Sequence, residues 1–72
     1  MNINFTNHAR DQMALRGISP AEVAQVVSDP DITYPDQYGN PCFVRWVAGR
    51  RIRVVIARGS DPPRVITAID QT

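Results

Sequence analysis

Apolar residues recur at two different spacings along the chain, and the change of spacing divides it into a helical part and a strand part. Between residues 6 and 29 the apolar positions are separated by three or four residues, as in helices that bury one face. From Ile32 onwards apolar and polar residues alternate, which is typical of strands with one buried face. The pattern therefore predicts two helices followed by a small sheet, an α+β fold.

The first predicted helix carries a signal at each end. Thr6 or Asn7 supplies the cap at its start, and the helix runs to about Arg16. Gly17 follows the last turn, where a glycine commonly takes the left-handed conformation that ends a helix. The residues before the cap, Asn2–Phe5, are expected to form either a short edge strand or an extended arm.

The second predicted helix has the clearer start. Ser19-Pro20-Ala21-Glu22 combines an N-cap serine, a proline at the first helical position and a glutamate placed to complete a capping box. Asp29-Pro30 ends this helix, because the residue before a proline avoids the helical conformation. Since only the segment around Gly17 separates the two helices, we expect them to form a helical hairpin.

Four short segments have the composition of strands, and Gly- and Pro-containing turns separate them. They are Ile32–Tyr34, Cys42–Val47, Arg51–Ala57 and Arg64–Ile69. Consecutive strands with short connections form an antiparallel meander, so the sequence predicts two N-terminal helices packed on one face of a three- to four-stranded antiparallel sheet. The length allows a single domain over residues 1–72.

The turn at Ala48-Gly49-Arg50 decides which side chains of the central hairpin share a face. A loop of two or four residues pairs positions whose numbers add to an odd sum, whereas a three-residue loop would change the pairing. The odd-sum pairing gives a mostly apolar face for the helices, made of Phe43, Arg45, Val47, Ile52, Val54 and Ile56. The other face is expected to be open and carries Val44, Trp46, Arg51, Arg53 and Val55.

Composition points to an ordinary globular protein without a cofactor. The 72 residues are 43% hydrophobic and 21% charged, with no apolar run long enough for a membrane span and no signal peptide. Cys42 and His8 are each the only residue of their type, which leaves no set of ligands for zinc or another metal. We expect a cytoplasmic protein without a membrane partner, and a chain this short would gain stability from forming a homodimer.

The basic residues change this picture. All eight are arginine, and six of them lie between Arg45 and Arg64, although the net charge is only +1. The guanidinium group binds phosphate and stacks on bases, so RNA is an expected partner. A GC-rich genome would explain the absence of lysine but not the clustering, and a solvated outer face remains the alternative. The candidate RNA-binding residues are Arg16, Arg45, Trp46, Arg51 and Arg64.

His8, Arg53 and Thr67 are the candidates for catalysis. Histidine is the residue type most often used for proton transfer, so His8 could exchange a proton with a ribose 2′-hydroxyl, and arginines such as Arg53 would stabilise the extra charge of the transition state. Thr67 could bond the phosphate if it shares a face with Arg53. Ordinary alternatives exist for His8 as a surface or capping residue and for Thr67 as a strand former. Among the RNA-binding candidates, Trp46 has the alternative of a core residue.

Six short motifs carry a resemblance to a known family and cover almost the whole chain. They are Phe5-Thr6-x-His8-Ala9, Met13-x-x-Arg16-Gly17-Ile18-Ser19, Glu22-Val23, Asp29-Pro30, Arg53-Val54-Val55-Ile56 and Val65-Ile66-Thr67-Ala68. In them the chain resembles the bacterial family called domain of unknown function 4258. The second motif and the last strand are also similar to the BrnT toxins of toxin–antitoxin pairs.

Both resemblances imply a RelE-like fold and a metal-independent endoribonuclease, or a domain derived from one. His8 would be the acid–base group, Arg53 the phosphate stabiliser and Thr67 a polar contact, while a cognate antitoxin protein would cover the arginine face. The chain departs from the family at Gln12, where members commonly have an arginine four residues after the histidine. The alternative function is a non-catalytic module that binds a protein or a nucleic acid through the same face.

Overall fold

Two helices pack on one face of a five-stranded sheet in the computed structural model, which describes residues 2–72. In chain order the elements are β1 (Asn4–Phe5), α1 (Asn7–Arg16), α2 (Pro20–Ser28), β2 (Ile32–Pro35), β3 (Pro41–Val47), β4 (Arg50–Ile56) and β5 (Arg64–Asp70). The α+β class and the two helices are confirmed, and the four predicted strands correspond to β2–β5.

The predicted helix boundaries are confirmed by their caps. Thr6 accepts a hydrogen bond from the Ala9 N–H, and Gly17 takes the left-handed conformation with φ of 65° at the other end of α1. Ser19 and Glu22 form the predicted capping box, in which each side chain accepts the other residue's backbone N–H. These bonds satisfy N–H groups that a helix start otherwise leaves without partners.

The expectation of a three- to four-stranded antiparallel sheet is wrong in two respects. The strand order is β1-β5-β4-β3-β2, so the sheet has five strands, and β1 runs parallel to β5. β1 is followed in the chain by α1 and α2, and its neighbour in the sheet is β5, the last strand of the meander β2-β3-β4-β5. β1 is the short edge strand given as one of two alternatives for Asn2–Phe5, whereas its parallel pairing with β5 was not expected.

The hydrophobic core lies between the two helices and the sheet. Ala9 and Met13 of α1 and Val23 and Val26 of α2 are buried against it. The sheet contributes six buried residues to the same cluster, namely Val47, Ile52, Val54, Ile56, Val65 and Ala68. The expected helix-facing side of the β3–β4 hairpin is therefore confirmed.

A two-residue turn joins β3 to β4. Val47 is opposite Arg50, so the paired positions add to odd sums as expected. Ala48 and Gly49 both have positive φ, 51° and 80°, which the tight hairpin turn requires. Alanine is strained in this conformation because its Cβ approaches the backbone, whereas asparagine tolerates it.

We expect Ala48→Asn to raise the free energy of unfolding by about 0.5–1 kcal/mol, because it completes the Asn-Gly pair that such turns favour. Urea denaturation followed by circular dichroism measures the change. The matched control is Ala14→Asn on the exposed side of α1, which should cost stability because asparagine forms helices poorly. An Ala48→Asn protein no more stable than the wild type would contradict the prediction.

Candidate nucleic-acid interface

The face of the sheet away from the helices has no element packed on it among residues 2–72; we call it the open face. Its composition follows from the registers of the strands and the alternation of side chains. It consists of Ile32 and Tyr34 on β2, Cys42, Val44 and Trp46 on β3, Arg51, Arg53 and Val55 on β4, and Arg64, Thr67 and Ile69 on β5. The five hairpin residues expected on it are all present.

Trp46 and Arg51 form a cross-strand pair at one end of the open face. A tryptophan is ordinarily a core residue, but Trp46, the only tryptophan of the chain, is 55% exposed. The alternative of a core tryptophan is therefore wrong. The backbone around the pair is fixed, because Asp31 accepts the Trp46 N–H and Thr72 accepts the Arg51 N–H. No hydrogen bond or ion pair occupies the Arg51 guanidinium in the described part of the chain.

Arg53 and Tyr34 form a second aromatic–arginine pair near the middle of the open face. The guanidinium carbon lies 5.9 Å from the centre of the Tyr34 ring, within the range of a cation–π interaction. Its Nη2 donates to the Sγ of buried Cys42 at 3.5 Å. Burial acts to lower the pKa of Arg53, but the contacts with Cys42 and Tyr34 outweigh it and raise the pKa.

The strands place three cations on the open face, Arg51, Arg53 and Arg64, and no carboxylate among residues 2–72. The nearest acidic groups are already bonded elsewhere: Asp31 to the Trp46 N–H, and Asp36 to the N–H groups of Tyr38 and Asn40. Those backbone bonds outweigh the effect of burial and lower the pKa of Asp36, and the charge of Arg53 acts in the same direction. The face therefore presents unpaired positive charge between exposed apolar surfaces.

The three candidates for catalysis do not all meet. Thr67 lies opposite Val55 and so shares the open face with Arg53, which meets the condition set for a phosphate contact. His8 lies on α1, whose Ala9 and Met13 pack on the opposite face of the sheet. His8 is exposed, and within residues 2–72 its side chain has no hydrogen bond or ion pair.

Two candidate RNA-binding arginines, Arg45 and Arg16, lie away from the open face. Arg45 faces the helices and forms an ion pair with Asp29, with Nη1 2.9 Å from Oδ2. Arg16 ends α1 and donates to Gln12. Arg64 precedes core-facing Val65 in β5, so it lies on the open face, exposed at the other end of the sheet from Trp46. The predicted roles of these three residues stay predictions.

Two pairings could not be found by reading along the chain. The contact of Arg53 with Tyr34 and Cys42 joins residues on three strands, and only the register reveals it.

Residues 2–72 contain no cluster of three or more His, Cys, Asp or Glu side chains placed to hold a metal ion. Neither helix of the described chain has the length and apolar character needed to cross a bilayer.

Comparison with known proteins places the chain in a family without an assigned activity. Residues 5–70 match the family described as Domain of unknown function (DUF4258), which is nearly the entire chain. The protein belongs to this family, and the resemblance seen in its motifs is confirmed to that extent. No curated protein and no solved structure shows a significant match.

Proposed function

We propose that this protein binds RNA through the open face of its sheet. The observation that carries the proposal is the unpaired Arg51 beside the exposed Trp46 ring, on a face that also holds Arg53 and no carboxylate. Guanidinium groups neutralise phosphates, and exposed aromatic rings on a sheet provide surfaces for bases. An anionic partner fits this face better than a second copy of the same cationic face.

Cleavage of the bound RNA by a RelE-like, toxin-type endoribonuclease stays a prediction. Such a reaction needs a group that exchanges protons near the scissile phosphate. His8 is the chain's only histidine, and it lies in the helix layer while Arg53 lies on the open face. The geometry therefore supports binding over cleavage, and a non-catalytic nucleic-acid-binding module is the function it supports best.

The test is a salt series of RNA affinity for the wild type and for Arg51→Gln. Each phosphate contact with a single strand adds about −0.7 to the slope of log K against log salt. Contacts from Arg51 and Arg53 thus predict a slope of about −1.4 for the wild type and about −0.7 for Arg51→Gln. The same relation predicts about a fivefold weaker affinity for Arg51→Gln at 0.1 M salt.

Arg10→Gln is the matched control, since it removes the same charge from an exposed position in the helix layer. It should leave the slope unchanged. Equal losses from Arg10→Gln and Arg51→Gln would show attraction by net charge alone and overturn the proposal. Absence of RNA binding by folded wild-type protein would also overturn it and favour a protein-binding module. RNA cleavage that disappears in His8→Ala would instead establish the nuclease.

A further inference from the structure

We infer that the RNA bound by the open face is single-stranded, with one unpaired base stacked on the Trp46 ring. This inference rests on the proposed function and adds the kind of RNA recognised. The supporting observation is the exposure of Trp46, 55%, directly opposite an arginine without a partner. A duplex keeps its base faces stacked inside, so it offers phosphates to Arg51 and nothing to an exposed indole ring.

The backbone of Trp46 is held in place by contacts at the end of β3. Its backbone N–H is bonded to the Asp31 carboxylate at 3.1 Å, and the neighbouring Val47 is buried in the core. The two-residue turn at Ala48-Gly49 further limits movement of this end of the hairpin. Because the backbone that carries the ring is already ordered, binding has to order only the Trp46 side chain, which favours stacking over a contact on a segment that must first be ordered.

Tyr34 provides a second ring on the same face. It is 39% exposed, and Arg53 approaches it within 5.9 Å. Tyr34 is opposite Cys42, four residues along β3 from Trp46, so the two rings are separated by roughly 13 Å along the strand direction. Two aromatic–arginine pairs on one face match a strand whose bases meet the rings and whose phosphates meet the arginines.

Trp46 fluorescence gives a direct test, because the chain has no other tryptophan. The full chain is titrated at low salt with a single-stranded RNA oligonucleotide, and then with the same oligonucleotide annealed to its complement. We expect the single strand to quench the fluorescence and to bind more tightly than the duplex. Loss of one stacked base in Trp46→Leu should weaken single-strand binding roughly 5- to 150-fold.

Trp46→Tyr keeps an aromatic ring and should retain most of the affinity, while circular dichroism checks that both variants are folded. Salt-dependent binding of single strand and duplex with equal affinity and no quenching would overturn this inference and leave the proposed function standing. Absence of binding to either RNA would overturn both. Quenching by the single strand with unchanged affinity in Trp46→Leu would also contradict the stacked base, because proximity alone would then explain the signal.

Discussion

Ile52→Ala is expected to lower the free energy of unfolding by about 2–5 kcal/mol, the range for removing a large buried aliphatic side chain. Ile52 lies at the centre of the sheet on β4 and is completely buried in the cluster shared with both helices. A domain of 72 residues has a total stability of roughly 4–11 kcal/mol, so the substitution removes a large share of it.

Thermal unfolding by circular dichroism measures this loss, and each kcal/mol corresponds to a fall in Tm of about 4–8 °C at this size. Leu15→Ala is the matched control, because Leu15 is 80% exposed on α1. Its effect should stay within about 0.5 kcal/mol. Similar Tm values for the two variants would contradict the placement of the core between helices and sheet.

Features fixed by neighbouring residues could be predicted from the sequence. The caps at Thr6, Ser19 and Gly17 depend on bonds within four or five residues, so the side chains themselves reveal them. The faces of the hairpin could be predicted only on the condition of a two- or four-residue loop, because the loop length determines the pairing of every position on β3 and β4, and the two-residue turn at Ala48-Gly49 meets that condition.

Features that depend on distant segments could not be predicted. The parallel pairing of β1 with β5 joins Phe5 to Val65 across sixty residues, and no local pattern encodes it. The position of His8 relative to Arg53 depends on which face α1 covers. The open face was therefore predictable from alternation within each strand, whereas the separation of the histidine from it became visible only in the fold.

Arg50 joins the start of β4 to the segment between the two helices through three side-chain hydrogen bonds. Its guanidinium donates to the carbonyls of Arg16 and Gly17 and to Glu22 Oε2, the last at 2.7 Å. Both charged side chains are mostly buried, with 27% and 22% of their surfaces exposed. The Arg50 guanidinium thus binds two carbonyls at the end of α1 and the Glu22 carboxylate of α2. Arg50 is also the first residue of β4, the strand that carries Arg51 and Arg53.

We expect Arg50→Ala to lower the free energy of unfolding by about 1.5–3 kcal/mol, the range for losing hydrogen bonds to a charged group. Urea denaturation at neutral pH measures it. Arg58→Ala is the control, because Arg58 is exposed in the β4–β5 loop and forms no ion pair within residues 2–72. An Arg50→Ala protein as stable as the Arg58→Ala protein would contradict the network's role.

The same network predicts how stability depends on pH. The backbone bond from Ser19, followed by the bond to Arg50, lowers the pKa of Glu22 below its ordinary value of 4.5. Because the folded-state pKa is the lower one, the carboxylate stabilises the fold above pH 4.5, and this contribution disappears as the pH falls through the folded-state pKa. Acid should therefore remove the stabilisation that the Arg50 contact provides.

Glu22→Gln isolates this effect, since glutamine can still accept the Ser19 N–H in a capping box but carries no charge toward Arg50. We expect the variant to be less stable at pH 7 and its stability to fall less steeply below pH 4.5 than that of the wild type. Asp11→Asn, at an exposed position of α1, is the control for removing one carboxylate. Parallel stability curves for wild type and Glu22→Gln would show that the charge of Glu22 does not hold the two layers together.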